Sequence, residues 1–364
     1  MTEKRKNVSN SFNKWVAIVL AAIIILLLSS IALTAIIDPV FHYHSPLSSL
    51  AYPLGGRQEQ RYINDGILRH FNYDSVIAGS SLTENFKTTE ANALLDANFA
   101  KVPTAGAYFK EVNDELIRAF DYAGELKYVV RGLDLHRIVA LKDEVAADHD
   151  NPEYLYNNKL DDDLEYLLNK EFMLKDLDVL KFTAEGNETT TFDDYSAWAS
   201  ECGKDIVMTK YHVYDRSTEQ RPITDDEYSM TVANIEQNVT SLADAHPETT
   251  FLYFIPPCSI AYWDELDSLG GVELFLSGIE IATRMMLEHP NIKVYMFVND
   301  FDTITNLDFY IDQVHYNADV SSLMLEYMAN GDYLVTEDNF ETIMAEARDF
   351  YLNYDYESLH DTEE

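Results

Sequence analysis

Two short stretches hold residue types that together could do nucleophilic chemistry. One is Gly79-Ser80-Ser81, which ends the apolar run Val76-Ile77-Ala78, and the other is Asp312-Gln313-Val314-His315 far downstream. Asp and His three residues apart on a turn or first helical turn face the same way, so the carboxylate can hold one imidazole nitrogen while the other addresses a hydroxyl. Ser81 would supply that hydroxyl, and the chemistry would be acyl transfer through an acyl-serine. Taken singly, a Gly-Ser-Ser is more often a turn and a histidine near a helix start more often structural. Their order and strand context are what join them.

The elements that must position these residues alternate in type. Strands are predicted at 74–79, 98–102, Tyr128–Gly132, Thr250–Ile255 and Ile292–Val298, the last of the set. Helices are predicted at Thr88–Leu95, Lys110–Ala123 closed by Gly124, Thr231–Ala245, Val272–Leu287 and Ala318–Met328. Such alternation marks a parallel sheet with crossover helices. A serine just after the first strand then stands at the carboxyl edge, where open α/β folds keep their sites. From about Leu135 to Pro222 the alternation breaks down, with Leu155–Leu180 read as helical and 187–192 as a polar loop. This segment is expected to form an insertion or cap over the sheet edge.

With these residues the chain resembles the SGNH, or GDSL, hydrolase superfamily, in particular its membrane-anchored bacterial surface members, and more distantly the D-alanyl-transfer protein of teichoic-acid modification. Gly79-Ser80-Ser81-Leu82 stands where that superfamily has Gly-Asp-Ser-Leu, and Asp312 to His315 where it has Asp-x-x-His. The resemblance covers roughly residues 70–135 and 245–330. It implies a flavodoxin-like three-layer α/β/α fold, with Ser81 as nucleophile, His315 as base and Asp312 orienting it. It also implies an oxyanion hole to which the Gly106 amide contributes. The family adds an asparagine after the third strand, in Gly-x-Asn-Asp, as a side-chain donor. Here the chain reads Gly132-Leu133-Asp134. An ionised carboxylate donates nothing and repels an oxyanion, so Asp134 is protonated, serves elsewhere, or leaves the hole to the Ser81 and Gly106 amides. Asn85, four residues after Ser81, is a substitute donor or a helix cap.

The amino terminus sets the location. Trp15–Ile37 holds no charge and is long enough, at about 1.5 Å per residue, to cross a hydrocarbon core of about 30 Å. Lys4, Arg5, Lys6 and Lys14 precede it and Asp38 follows. The positive-inside rule therefore keeps residues 1–14 cytoplasmic and exports 38–364 from a single-pass anchor. Leu33-Thr34-Ala35 is a poor cleavage site, so the anchor is expected to be retained. Of 26 Lys plus Arg and 63 Asp plus Glu, four basic residues and Glu3 precede Asp38, which leaves a net charge of −40 beyond the span. Such acidity argues against nucleic acid and anionic lipid as partners and reads first as solubility.

No cofactor is expected, because no Cys or His cluster has zinc-site spacing, and Asp143-Glu144 and Asp161-Asp162-Asp163 read as solvated faces and helix starts. An exported compartment permits a Cys202–Cys258 disulfide without requiring one. Tyr154, Tyr156, Trp198, Tyr211 and Tyr214 could stack on sugar rings or form the insert's own small core, the second being favoured. His136 and Arg137, past the third strand, could meet a substrate carboxylate or phosphate, or pair with the acidic surface. His70, His149, His212 and His246 are assigned nothing. Two functions are therefore expected. One is an esterase or acyltransferase acting on a cell-surface glycan or acylated wall polymer. The other is a non-catalytic or partner-dependent scaffold in envelope assembly, and in the partner-dependent case the small residues of the helix could pack on a membrane protein.

Overall fold

The computed structural model describes residues 2–56 (side chains from Phe12), 59–147, 151–211, 216 and 219–360; His149, His212 and Tyr214 lie outside the described residues. The chain forms two compact units. One comprises the residues up to Leu54 together with Asn151–Thr190, and the other runs from Gly55 and resumes at Thr191.

The larger unit is mixed α/β. Its strands are β1 (Ser75–Gly79), β2 (Phe99–Pro103), β3 (Tyr128–Gly132), β4 (Thr250–Ile255), β5 (Ile292–Met296) and β6 (Leu334–Val335). They form one sheet in the order β2-β1-β3-β4-β5-β6. All neighbours pair in parallel except β6, which runs antiparallel to β5. Helices flank the sheet and cover both faces of its strands, which explains why Val76, Ile77, Ala78, Val129 and Val130 are all fully buried. Gln60–His70 packs on Phe109–Ala123, Thr88–Leu95 on Ala318–Asn330, and Val272–Leu287 on both Asp225–Ile235 and Phe340–Asn353.

The structure departs from expectation in several places. Ile292–Val298 is not the last strand, since β6 follows it. The helix expected at Thr231–Ala245 is interrupted by a π turn at Glu236–Thr240. There the fully buried Arg131 guanidinium, reaching from β3, donates to the Asn238 carbonyl at 2.6 Å and holds it out of a regular ladder. The expected helix Leu155–Leu180 is two pieces, Leu164–Leu167 and Lys170–Ala184, because the Asn169 side chain caps Glu171 N–H at 2.9 Å and starts a new helix. Cys202 and Cys258 are both free thiols.

The smaller unit contains the N-terminal helix Thr2–Ile37, whose portion Phe12–Ile37 is long and apolar enough to cross a membrane. Asp38 ends it at φ +50°, a left-handed conformation that Asp tolerates. Its carboxylate accepts the N–H groups of His42, Tyr43 and His44 at 2.9, 2.7 and 3.0 Å and the Tyr166 hydroxyl at 2.8 Å. Asp163 corrects the reading of 161–163 as a solvated face, for it is buried 3.1 Å from His42 Nε2 and accepts the Tyr43 hydroxyl at 3.0 Å.

Candidate active site

The Ser81 turn follows from local chemistry. Gly79 leaves β1 at φ +152°, and a Cβ there would stand 2.8 Å from Thr83 Cγ2, so only glycine allows the abrupt exit. Ser80 Oγ then accepts the Leu82 N–H at 3.3 Å, Thr83 Oγ1 donates to the Ser80 carbonyl at 2.9 Å, and Ser81–Thr83 forms a tight 3₁₀ turn. Ser81 is thereby displayed, half-buried, at the carboxyl end of β1. Two long-range bonds fix this turn from outside. Lys101, fully buried on β2, donates to the Glu84 carbonyl at 2.6 Å, and the Tyr316 hydroxyl donates to the Leu82 carbonyl at 3.0 Å. Burial lowers the Lys101 ammonium to about 8, against the opposing pull of Asp193, Glu84 and Asp194.

The histidine loop closes on that turn. His315 Nε2 lies 2.8 Å from Ser81 Oγ, and His315 Nδ1 lies 2.8 and 3.0 Å from the two Asp312 oxygens. Asp312 Oδ1 also accepts the N–H groups of Val314 and His315 at 2.9 and 2.8 Å. Burial alone would raise the Asp312 carboxyl, but the His315 side chain and these backbone donors outweigh it and hold the group at about 2. The loop is braced from the segment that follows β4. Ser259 donates to the Gln313 carbonyl through both N–H and Oγ, at 3.1 and 2.7 Å, and Gln313 Nε2 donates to Glu265 at 2.8 Å. Asn317 then caps the helix Ala318–Asn330.

The sheet order places the remaining candidates. β1 lies between β2 and β3, where the winding reverses, and such a switch point is where open α/β sheets bind ligands beyond their carboxyl ends. Gly106 follows β2 and Asp134 follows β3, on either side of the Ser81 turn. Gly106 sits at φ +70° with its carbonyl accepting Arg137 at 3.4 Å, and its N–H donates to none of the described residues. Asn85 is buried, its Oδ1 accepting the Trp198 N–H at 2.9 Å. That bond fixes which way the amide faces, and the Nδ2 end is buried without a partner. Asp134 is buried, and its Oδ1 also lacks a partner.

His136 and Arg137 take different roles. Arg137 lies 3.5 Å over the Tyr108 ring as well as on the Gly106 carbonyl, so it braces the loop after β2. His136 reaches solvent, yet its crowded surroundings lower its pKa, with Asp134 opposing the shift and Arg137 and His315 adding to it. Cys258 is inert, since burial pushes its thiol well above its usual range and the Asp134 and Asp312 carboxylates add to this. Of the aromatics, Trp198 stands edge-on to His315 with ring centroids 6.2 Å apart, whereas Tyr211 is buried and bonded to Asp264 at 2.7 Å. Sequence reasoning singled out neither Tyr316, Ser259 nor Lys101. The signal for Lys101 was a lone cation inside the apolar segment Phe99–Pro103.

No family model matches the chain, and no curated protein matches it. A solved structure provisionally described as a platelet activating factor from Streptococcus pneumonia is similar over 76% of this chain and 92% of its own, with 10% identity and a TM-score of 0.39. A likeness of that size carries no weight for the chemistry, for which the distances around Ser81 stand on their own.

Proposed function

We propose that this chain is a membrane-anchored, extracytoplasmic serine esterase or O-acyltransferase of the SGNH type, acting on O-acyl groups of a cell-surface glycan or wall polymer. One observation carries the reading, the continuous line from Asp312 through His315 to Ser81 with both links at 2.8 Å. His315 takes the Ser81 proton as Oγ attacks the ester carbonyl, and Asp312, ionised down to about 2, steadies the resulting imidazolium. The carbonyl electrons move to oxygen, facing the Gly106 amide and Asn85 Nδ2. Collapse expels the alcohol, which leaves with the proton from His315. Water or a sugar hydroxyl then attacks the acyl-serine, giving hydrolysis or transfer. No step needs a cofactor. The apolar helix Phe12–Ile37, with basic residues before it and an acidic body after it, supports an anchor that holds the catalytic unit outside the cell.

The test is fluorophosphonate labelling of the full chain in detergent, comparing wild type with Ser81→Ala and His315→Ala. Labelling lost in both variants supports an activated Ser81. Mass loss or gain on purified wall polymers then identifies the acyl group. Asp134, in place of a neutral donor, favours the second reading, a non-catalytic or partner-dependent scaffold, and folded wild-type protein that takes no label would decide for it.

A further inference from the structure

In the smaller unit, the helix Lys170–Ala184 is apolar on two faces. Phe172, Asp176 and Val179 face inward and are buried, while Leu174, Leu177 and Leu180 are each at least 40% exposed. At 100° per residue these three leucines fall on one side of the helix, centred on Leu177, and Lys170 and Lys181 lie on the same side, near its two ends. Leu160, Leu164 and Leu168, just before it, are exposed to a similar degree. A helix with apolar residues on opposite sides needs a cover on both.

The position of this helix along the anchor identifies the cover. Thr34, in the last turn of the N-terminal helix, is fully buried and donates to Asp176 Oδ2 at 2.6 Å. Phe12–Ile37 spans 26 residues, roughly 39 Å against a hydrocarbon core of roughly 30 Å, so its last turn stands at headgroup level. Lys170–Ala184 meets the anchor at that level, and Leu177 lies about a quarter turn round the helix from Asp176. An apolar stripe with a lysine near each end fits a helix lying in a membrane interface, its leucines among acyl chains and its long lysine side chains reaching up to the phosphates.

We propose that the Leu174–Leu177–Leu180 face lies in the outer leaflet of the same bilayer that the N-terminal helix crosses, a conclusion that rests on reading Phe12–Ile37 as a span. The anchor then has a second membrane contact beside its exit point, and the smaller unit is an interfacial foot.

The full chain carrying Cys202→Ser, which removes the half-exposed thiol, is reconstituted in lipid nanodiscs with a spin label at Leu177→Cys, Glu171→Cys or Leu26→Cys. Leu177 is exposed, so its label disturbs no packing. The proposal expects the Leu177 label to be relaxed by oxygen and shielded from an aqueous nickel chelate, as at Leu26, with the reverse at Glu171. A Leu177 label open to the chelate while Leu26 reads as lipid overturns the proposal alone. Shielding of Leu177 from both agents overturns it in favour of a protein partner. A Leu26 label that reads as aqueous overturns the span and the proposal with it.

Discussion

The two halves of the candidate site differ in how completely their polar atoms are partnered. On the histidine side, Asp312 accepts from His315 Nδ1 and from two backbone N–H groups, and His315 Nε2 is spent on Ser81. On the side proposed to meet the oxyanion, Asn85 Nδ2 and Asp134 Oδ1 are both buried without a partner. Buried polar atoms are nearly always paired, because leaving one unpaired costs about 1–3 kcal/mol. Under the proposed function, the satisfied half is preorganised for proton transfer, and Asn85 Nδ2 in the other half is the donor that a substrate oxygen is expected to meet. Under the same proposal, Asp134 complicates that half, because it brings an acceptor where an oxyanion would want a donor.

The largest effects should come from the satisfied half. Ser81→Ala or His315→Ala is expected to cut acyl-ester turnover by about 10⁴-fold or more, each as much as the pair together, since the two act as one unit. Asp312→Asn should keep the fold and still cost about 10³- to 10⁴-fold in kcat by presenting the wrong tautomer of His315. Single-turnover kinetics on an activated ester would measure both. A loss under tenfold for Asp312→Asn would mean that Asp312 only shapes the turn.

The unsatisfied half should respond in two directions. Asn85→Ala is expected to lower kcat by about 10²-fold with KM little changed, as when one oxyanion donor is removed. Asp134→Asn should raise kcat, by about tenfold, because it replaces a carboxyl acceptor with an amide donor. If Asp134→Asn lowers kcat instead, Asp134 serves a role of its own, such as orienting His136, and the contrast between the two halves does not hold as drawn.

Legibility in the sequence followed range. Asp312 and His315 could be read as facing one way because three residues on a turn settle it locally, and the strands around Ser81 could be read because parallel strands are apolar throughout. Trp198 against His315, Tyr316 on Leu82, and Ser259 on Gln313 could not, because each depends on segments distant in the chain meeting in space. β6 has two residues, too few for any periodicity. The smaller unit was illegible for the same reason, since Asn151–Thr190 joins the N-terminal helix through bonds such as Thr34 to Asp176, whose partners stand 142 residues apart. Asp134 was legible as a departure but not in its consequence, which depends on whether neighbours satisfy it.

A middling effect should come from the braces. Tyr316→Phe keeps the ring in the core and removes only the bond to the Leu82 carbonyl, so it should cost about 1 kcal/mol of stability and a few-fold in kcat through a looser Ser81 turn. Equilibrium denaturation and steady-state rates on the same preparation separate the two. Loss of stability with kcat unchanged would make Tyr316 a core residue only.

The smallest effect on activity, and the sharpest check on why Asp312 stays ionised, comes from a second buried carboxylate in the same unit. Glu115 is as buried as Asp312 or more so, yet burial raises it to about 7 despite Arg118, Asn64 and Arg61 nearby. Arg118 pairs with Asp65 at 2.9 Å and Arg61 with Glu111 at 2.7 Å, and Glu115 keeps only neutral donors, the Asn64 side chain and the Thr104 hydroxyl at 3.4 Å. Donors therefore decide between the two carboxyls, not burial. A carboxyl raised in the fold binds its proton more tightly there than in the unfolded chain. Its stabilising contribution is full below about 4.5 and is lost as pH rises to about 7, a decline of about 3 kcal/mol at most. Glu115→Gln should remove that decline and leave turnover of an activated ester unchanged. Denaturation midpoints of variant and wild type at intervals from pH 4 to pH 8 give the difference directly, and two parallel curves would show that Glu115 is satisfied in the fold after all.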